Sequence, residues 1–542
     1  MDRRDFVKGA AALTASAATG MGHAQQGGTP VEKRSIVTST AQYDPARPEI
    51  AKLIAQSCKS LGWDVEANPM DYNQGIQRVF MEQDFDMFLV IFAGTTQRID
   101  PDFFIRSLHH SAEDKRGGYN SGGFRNARVD ALGTTQSRLM EPEDRRKPVF
   151  EAQDLIFREQ PNTVLAYTQI TMAHRSDRLK GLVPQIGEGI GSFWSDVNMQ
   201  VAGDGYSRTG ATADVKNLNP LAPVDINEFQ ELSTIYDRLF RVGPDGKLVP
   251  WAATGMKMVD NKTIELAIRP GMRWHDGKPV TAEDVKFSFD YQLKWKAPFF
   301  LSTLRNVVAV EVPAANTVRI RLENPSSPFV STVLAGMFII PKHIWETIPE
   351  KAGVDDPLKF ANDKPVGSGP FKFDHWRRGS ELKVSAFREH FNPPKCAGII
   401  RIVYGSHDAL AAAIEKGECD RSRYLLSPAL VDRLKTARNV VAKGYDSHGL
   451  YHLTYNHKIK PFDDPAFRQA LNHVMPRQMI SELVLLGYAQ PGASIISPAN
   501  RFWHNPAVKV AIEDAKKARD ILAKAGYGWN AQGKLLHPRA RA

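Results

Sequence analysis

The chain has 542 residues, too many for one simple domain, and its 42% hydrophobic and 24% charged residues are the balance of a globular protein, excluding a disordered or low-complexity chain. The formal net charge is +10, but the basic residues are scattered and no Lys/Arg run is interleaved with aromatics, which reads as a solvated surface and excludes a nucleic-acid footprint. Three cysteines, Cys58, Cys396 and Cys419, form no CxxC pair and allow at most one bridge, which excludes a disulfide framework.

The N-terminus, MDRRDFVKGAAALTASAATGMGHAQQ, has a charged start, an Ala-rich run from Gly9 to Met21 and the small-x-small signal Gly22-His23-Ala24. Arg3-Arg4-Asp5-Phe6-Val7-Lys8 resembles the twin-arginine export motif. The apolar run is too short to cross a membrane, and no Cys stands at the cleavage point to carry a lipid. Residues 1–26 are expected to be a signal peptide that sends the chain to the periplasm by the twin-arginine export machinery.

After Pro45, residues Ile50, Leu53, Ile54, Cys58 and Leu61 share one helical face, and Gly62 stops the helix. Asp64–Ala67 alternates like a strand, and Met87–Phe92 (MFLVIF) reads as a buried strand. His109-His110 is expected in a surface loop, since adjacent histidines diverge on a helix or strand and make a poor metal pair. A helix is predicted over about 143–159 and a strand near 163–167. Gly187-Glu188-Gly189-Ile190-Gly191 reads as a loop; no strand leads cleanly into it as a phosphate cradle requires. Strands follow at Thr263–Ile268 and Thr317–Leu322. Between them Asp276-Gly277 marks a turn, and Thr281 with Asp284 forms a capping box that starts a helix at about Ala282. Asp464-Pro465 starts another helix. Asp514–Ala525 is amphipathic, with Gly526 just past its end, and Gly533–Leu536 is a turn into a strand.

The segment WHDGKPVTAEDVKFSF resembles the peptide/nickel-type, family 5 substrate-binding proteins of ABC transporters. Asn217–Leu221 (NLNPL), Tyr236–Leu239, Asp245-Gly246-Lys247, PVGSGPFKF, Phe467–Ala470, Gly487-Tyr488-Ala489 and Ala518–Gly526 match in type and order. Residues 33–200 fit the same pattern, but where the family has its C-terminal third. Leu61-Gly62, Phe85-Asp86-Met87 and Asp100–Phe104 match segments that follow the Ala518–Gly526 helix in the family. The resemblance therefore implies a circular permutation, with the old ends joined through Val201–Tyr206.

The implied fold class is α/β, a two-lobed periplasmic binding protein (type II, cluster C-like) with a ligand cleft between the lobes. One lobe is expected from 27–165 with 450–542. The other spans 166–449, with a smaller subdomain about 243–335 and crossings near Ala166–Ser176 and Ser447–Asn456. The implied function is capture of a peptide-like or other small organic solute for an inner-membrane ABC permease, by a monomer without cofactor, metal or nucleic acid. The alternatives are a periplasmic hydrolase on the same scaffold and a ligand-sensing partner of a receptor; no G-x-S-x-G, H-E-x-x-H or P-loop motif is present.

In peptide-binding members, the segment before the "DP" motif supplies an Asp that pairs with the ligand's amino group. Here that place falls on Thr96, Gln97 or Arg98, depending on the gap, none of which offers an anion, and Thr95 beside them is a further candidate ligand contact. The departure favours an anionic or amide-rich ligand, with Asp100 as a structural residue. By the same resemblance Arg501 is a carboxylate binder, Trp503 a stacking platform and Asp225 a contact from the other lobe.

Overall fold

The computed structural model describes residues 28–223 and 226–539, with the side chains of Gln97 and Ile226 outside the description. The expected signal peptide lies outside the described residues. Two large sheets organise the chain. The first has six strands in the order Val65–Met70, Arg34–Ser39, Met87–Phe92, Leu450–Tyr455, Asn162–Thr168, Ala489–Pro491. Its first three are parallel and the rest antiparallel. Met87–Phe92 is a continuous apolar run because both its faces are covered: Met87, Phe88, Leu89 and Val90 are all buried. One cover is the Ala46–Cys58 helix, whose Ile50, Ile54 and Cys58 are sealed from solvent.

The second sheet has seven strands, in the order Phe371–Arg377, Glu381–Ala386, Gly398–Val403, Tyr206–Ala211, Arg421–Ser422, Ile170–Arg175, Val440–Tyr445. A four-stranded antiparallel sheet, Ala253–Met258, Thr263–Ile268, Thr317–Leu322 and Val307–Ala314, packs into the same hydrophobic core as its Phe371 edge. The Ala282–Lys294 helix begins with the expected capping box: Thr281 accepts from the Asp284 backbone, and Asp284 Oδ2 accepts from the Thr281 N–H at 2.9 Å. Trp274-His275-Asp276-Gly277 is a structural turn, with Trp274 buried and His275 Nε2 paired with the Gly369 carbonyl at 2.9 Å.

The chain passes from the first sheet to the second at Gln169, between the Asn162–Thr168 and Ile170–Arg175 strands. It returns at residues 446–449, between Val440–Tyr445 and Leu450–Tyr455. Backbones touch here. A Cβ on Gly187, whose φ is +81°, would sit 1.7 Å from the Gly94 carbonyl oxygen, and one on Gly94 would sit 2.5 Å from the Gly449 nitrogen. Only glycine permits that approach, which explains the Gly187–Gly191 stretch without a phosphate.

Residues 193–211 lie within the second sheet's region. Asp196 is fully buried among Arg401, Arg421 and Arg423; burial works to raise its pKa, but the three guanidiniums override it and hold it at about 2. Gly203 and Gly205, both at φ 76°, then turn the chain from the Gln200–Val201 strand into Tyr206–Ala211, a central strand of that sheet. At the first sheet's side, Pro30 bridges Leu536, Val31 donates to the Leu535 carbonyl at 2.9 Å, and Leu535 donates to that of Gly62 at 2.9 Å.

The surface loop expected at His109-His110 is overturned. His109 is 1% exposed at the end of a helical turn, with Nδ1 at 2.8 Å from the Phe104 carbonyl and Nε2 at 2.9 Å from the Asn162 amide. The turn sends the two side chains apart, so His109 enters the core while His110 caps the Ser111–Glu113 turn. Burial pushes His109 down to about 4, and its neighbours His452 and His457 to about 3. Among the described residues no group of His, Cys, Asp or Glu is arranged to hold a metal, and all three cysteines are free and buried.

Candidate functional site

The carboxyl ends of the three parallel strands Arg34–Ser39, Val65–Met70 and Met87–Phe92 lie at one edge of the first sheet, where α/β folds place ligand sites. A cavity of about 1060 Å³ opens there, between this edge and the second sheet. Tyr43, Arg47 and Tyr451 form its wall on the first side, and Tyr424, Leu425 and His407 on the other. Gln169 and Ser447, from the two crossings, also line it.

The first wall is built around Asp44. Its carboxylate accepts from the Ala46 N–H at 3.0 Å, just before the helix, pairs with Arg47 Nε at 3.0 Å and accepts from the Tyr451 hydroxyl at 3.0 Å. Burial first, and then the Asp44 charge, push the Tyr451 phenol well above its ordinary value. Tyr43 stacks on Tyr72 with ring centres 4.1 Å apart, and the Arg47 guanidinium lies 5.3 Å from the Tyr43 ring centre. The guanidinium and the stacked rings together make an aromatic floor to this wall.

The Thr95–Arg98 segment adjoins this cavity through Ala93 and Gly94, both wall residues. The Thr95 carbonyl lies 2.8 Å from His448 Nε2. Thr96 is buried and donates to Glu188 Oε1 at 3.1 Å, joining the two sides of the cleft. Burial raises the Glu188 pKa, and Arg423 and Arg238 oppose it. Gln97's side chain and Asp225 fall outside the described residues. Arg98 donates from Nη1 to the Ala93 carbonyl at 3.2 Å and lies over the Phe92 and Phe103 rings. Asp100, two residues on, is structural: Arg145 holds it through two bonds of 2.8 and 3.0 Å.

Arg501 and Trp503 do not join this group. Arg501 is exposed on a turn. Trp503 covers Arg145, 4.9 Å from its ring centre, and its carbonyl accepts from Gln153 at 2.7 Å. Neither lines the cavity, and neither do Thr95, Thr96 and Arg98, which stand behind Ala93 and Gly94. The wall residues Tyr43, Arg47, Tyr424 and Tyr451 were not legible as site residues; the Tyr43-Asp44-Pro45 turn between a strand and an amphipathic helix was the available signal.

Residues 247–540, more than half of the chain, match the family model of bacterial extracellular solute-binding proteins, family 5 (middle region). The chain belongs to this family. It is similar to the dipeptide-binding protein of Escherichia coli K12, 26% identical over 315 residues that cover 54% of this chain and 58% of that one. It is also similar to the glutathione-binding protein GsiB of Shigella flexneri, 27% identical over 320 residues, 57% of this chain and 60% of the relative. The chain thus spans about three-fifths of the length of the curated relatives it matches. Among solved structures, the substrate-binding protein CtaP of Listeria monocytogenes superposes with a TM-score of 0.50 at 24% identity, over 60% of this chain and 66% of that one. The periplasmic oligopeptide-binding protein of Thermotoga maritima gives 0.50 at 23%, over 61% and 64%. The fold is that of the type II periplasmic binding proteins.

Proposed function

We propose that this family 5 protein is the periplasmic solute-binding component of an ABC importer. It captures a peptide-like or other small organic solute by closure of two lobes and delivers it to an inner-membrane permease, without turning it over. The observation that carries the reading is the 1060 Å³ cavity between two sheets joined by the crossings at Gln169 and residues 446–449. Contacts from both walls favour the closed form once a solute fills the space. The lobes are residues 27–165 with 450–542, and 166–449 with the subdomain about 243–335. A thermal-shift screen against peptides, amino-acid conjugates and sugars tests this: a solute at 100 times its Kd stabilises the protein by about 2.7 kcal/mol. Hydrolysis of a bound solute, or no shift with any, overturns it.

The same proposal includes export by the twin-arginine route and a monomeric state. Replacing Arg3 and Arg4 by Lys should hold the protein in the cytoplasm, and light scattering should give one chain per particle; processing that survives the double substitution, or a dimer mass, rejects each in turn.

The proposal also includes a circular permutation. The pairing of Pro30 and Val31 with Leu535 and Leu536 supports it, as does the placement of both flanks of Val201–Tyr206 in one sheet's region. Colinear matches that stop at about three-fifths of each relative fit the same reading. A chain opened at Gly203 and joined from Leu536 to residue 30 should fold and bind the same solute. An insoluble or non-binding product would count against it.

A further inference from the structure

Two small cavities, of about 20 and 30 Å³, lie beside the Thr96–Glu188 bridge, and neither shares a lining residue with the 1060 Å³ cavity. Thr96, Glu188, Phe193, Ser233 and Arg238 line both. Gln230 and Arg423 also face the first, and Arg241 the second. Gln230 and Ser233 come from the Ile226–Ile235 helix, and Arg238 and Arg241 from the turn and the Phe240–Val242 strand that follow it.

Gln230, Arg238, Arg241 and Arg423 are each more than nine-tenths buried. Each nevertheless keeps a buried donor that no described group accepts from: Nε2 of Gln230 and Nε of the three arginines. The one buried acceptor left unpartnered among the lining side chains is Gln230 Oε1. Arg238 donates from its other nitrogens to Ser233 Oγ and, at 3.3 Å, to the Ala335 carbonyl, and no described carboxylate lies within ion-pair distance of it. Arg241 lies over the Phe193 ring and donates to the Ser233 carbonyl at 3.0 Å, with Asp237 no nearer than 3.8 Å.

The charges of this region do not cancel. The guanidiniums of Arg238, Arg241, Arg401, Arg421 and Arg423 face the carboxylates of Glu188, Asp196, Glu231 and Asp237, five against four, which leaves one positive charge. Glu228, on the same helix as Gln230, turns instead to the Lys216 and Asn217 backbone N–H groups. Burial lowers Arg238 and Arg423 only to about 10, so both stay charged at neutral pH. A water bridging the donors would leave the extra charge in the core, whereas an anion satisfies the donors and cancels the charge together. A water needs roughly 10–15 Å³ of such space. Cavities of about 20 and 30 Å³ therefore suit an ion of one atom and exclude sulfate, phosphate or a bulkier solute.

We infer that Arg238, with Arg241, Arg423 and Gln230 around it, binds a monatomic anion of chloride or bromide size, at a site separate from the solute cleft. The ion serves as the missing counter-charge of the buried arginine cluster, beside the bridge that ties Thr96 to Glu188.

Crystals of the exported protein soaked in sodium bromide test the inference through the anomalous scattering of bromine, and a bromide peak beside Arg238 Nε is expected. In solution, thermal unfolding is followed at constant ionic strength while gluconate is replaced by chloride. The midpoint should rise and saturate, and sulfate should give no saturating step. Q230L, which keeps every arginine, should raise the half-saturating chloride concentration at least ~10-fold, and R238Q should abolish the saturating step. The crystal and the chloride titration of the unmodified protein stand even where R238Q fails to fold. Ordered water alone in these cavities overturns the inference, as does a midpoint that follows ionic strength alike in chloride, gluconate and sulfate. A bromide peak without a saturating chloride effect marks an adventitious ion only and overturns it too.

Discussion

Arg98 and Arg145 both lie beside aromatic rings, Phe92 and Phe103 for one and Trp503 for the other. Arg145 is 3% exposed and fully engaged: it grips Asp100 through two bonds, and Gln136 accepts two more, at its backbone carbonyl and at Oε1. Asp100 also accepts from Ser331 at 2.5 Å, a residue more than 200 positions away. Among the described residues Arg98 has one backbone acceptor and no carboxylate. Two guanidiniums in similar aromatic settings therefore play opposite parts. A buried charge whose partners come from distant parts of the chain holds the fold; a half-buried one that no described carboxylate pairs does not bind the chain together in that way.

Acid should break this comparison most severely. Folding keeps His109 at about 4 and His452 and His457 at about 3, against an ordinary 6.5. The unfolded chain takes up protons on all three as pH drops below 6.5, and the folded chain does not. The stability they contribute is therefore complete above pH 6.5 and is lost on the way down to about pH 3, at up to about 4 kcal/mol per pH unit while all three differ. Burial works to raise the pKa of Asp100, but Arg145 overrides it, so that pair adds its own loss only once pH falls below the ordinary carboxylate value of 3.8. Arg98 stays charged throughout. Urea titrations from pH 7 to 4.5 check the slope, and a flat profile would contradict neutral burial of the histidines.

Next in size is R145L, which strands Asp100 in the core and should cost about 3–5 kcal/mol in chemical denaturation. R98Q should show the opposite behaviour, with stability within about 1 kcal/mol of the parent, because it removes a half-buried charge that no described carboxylate pairs. A large loss with R98Q would mean that Arg98 is structural and the two arginines are alike. The smallest effect is expected from Y488F. Its hydroxyl donates to Asp432 at 2.8 Å across the exposed rim of the cleft, where water competes, so the loss should stay below about 1 kcal/mol.

Local signals were the reliable part of the sequence. Thr281 with Asp284 located a helix start, the alternation at Thr263–Ile268 and Thr317–Leu322 located two strands to the residue, and Gly62 marked a stop. What depended on distant partners was not legible. His109 is buried because the Phe104 carbonyl and Asn162 reach its two nitrogens, and no adjacent residue announces that. The cavity walls gather Tyr43, Tyr424 and Tyr451 from segments about 400 residues apart at the extreme, each an ordinary aromatic in its own window. A motif pointed to the Thr95–Arg98 segment, which adjoins the cavity through Ala93 and Gly94 without lining it; Trp503 carried a resemblance too, but its ring is committed to Arg145.

The pairing of residues 30 and 536 has a practical consequence for instrumentation. Dyes attached at Gly28 and Arg539 ride on the same side of the molecule, so energy transfer between them stays constant whatever the two sheets do relative to each other. A ruler for closure has to be planted across the rim instead, for example at Tyr43 and Leu425, which are exposed and belong to opposite walls. The paired ends then serve as the anchoring point, leaving the mouth of the cleft free above a sensor surface.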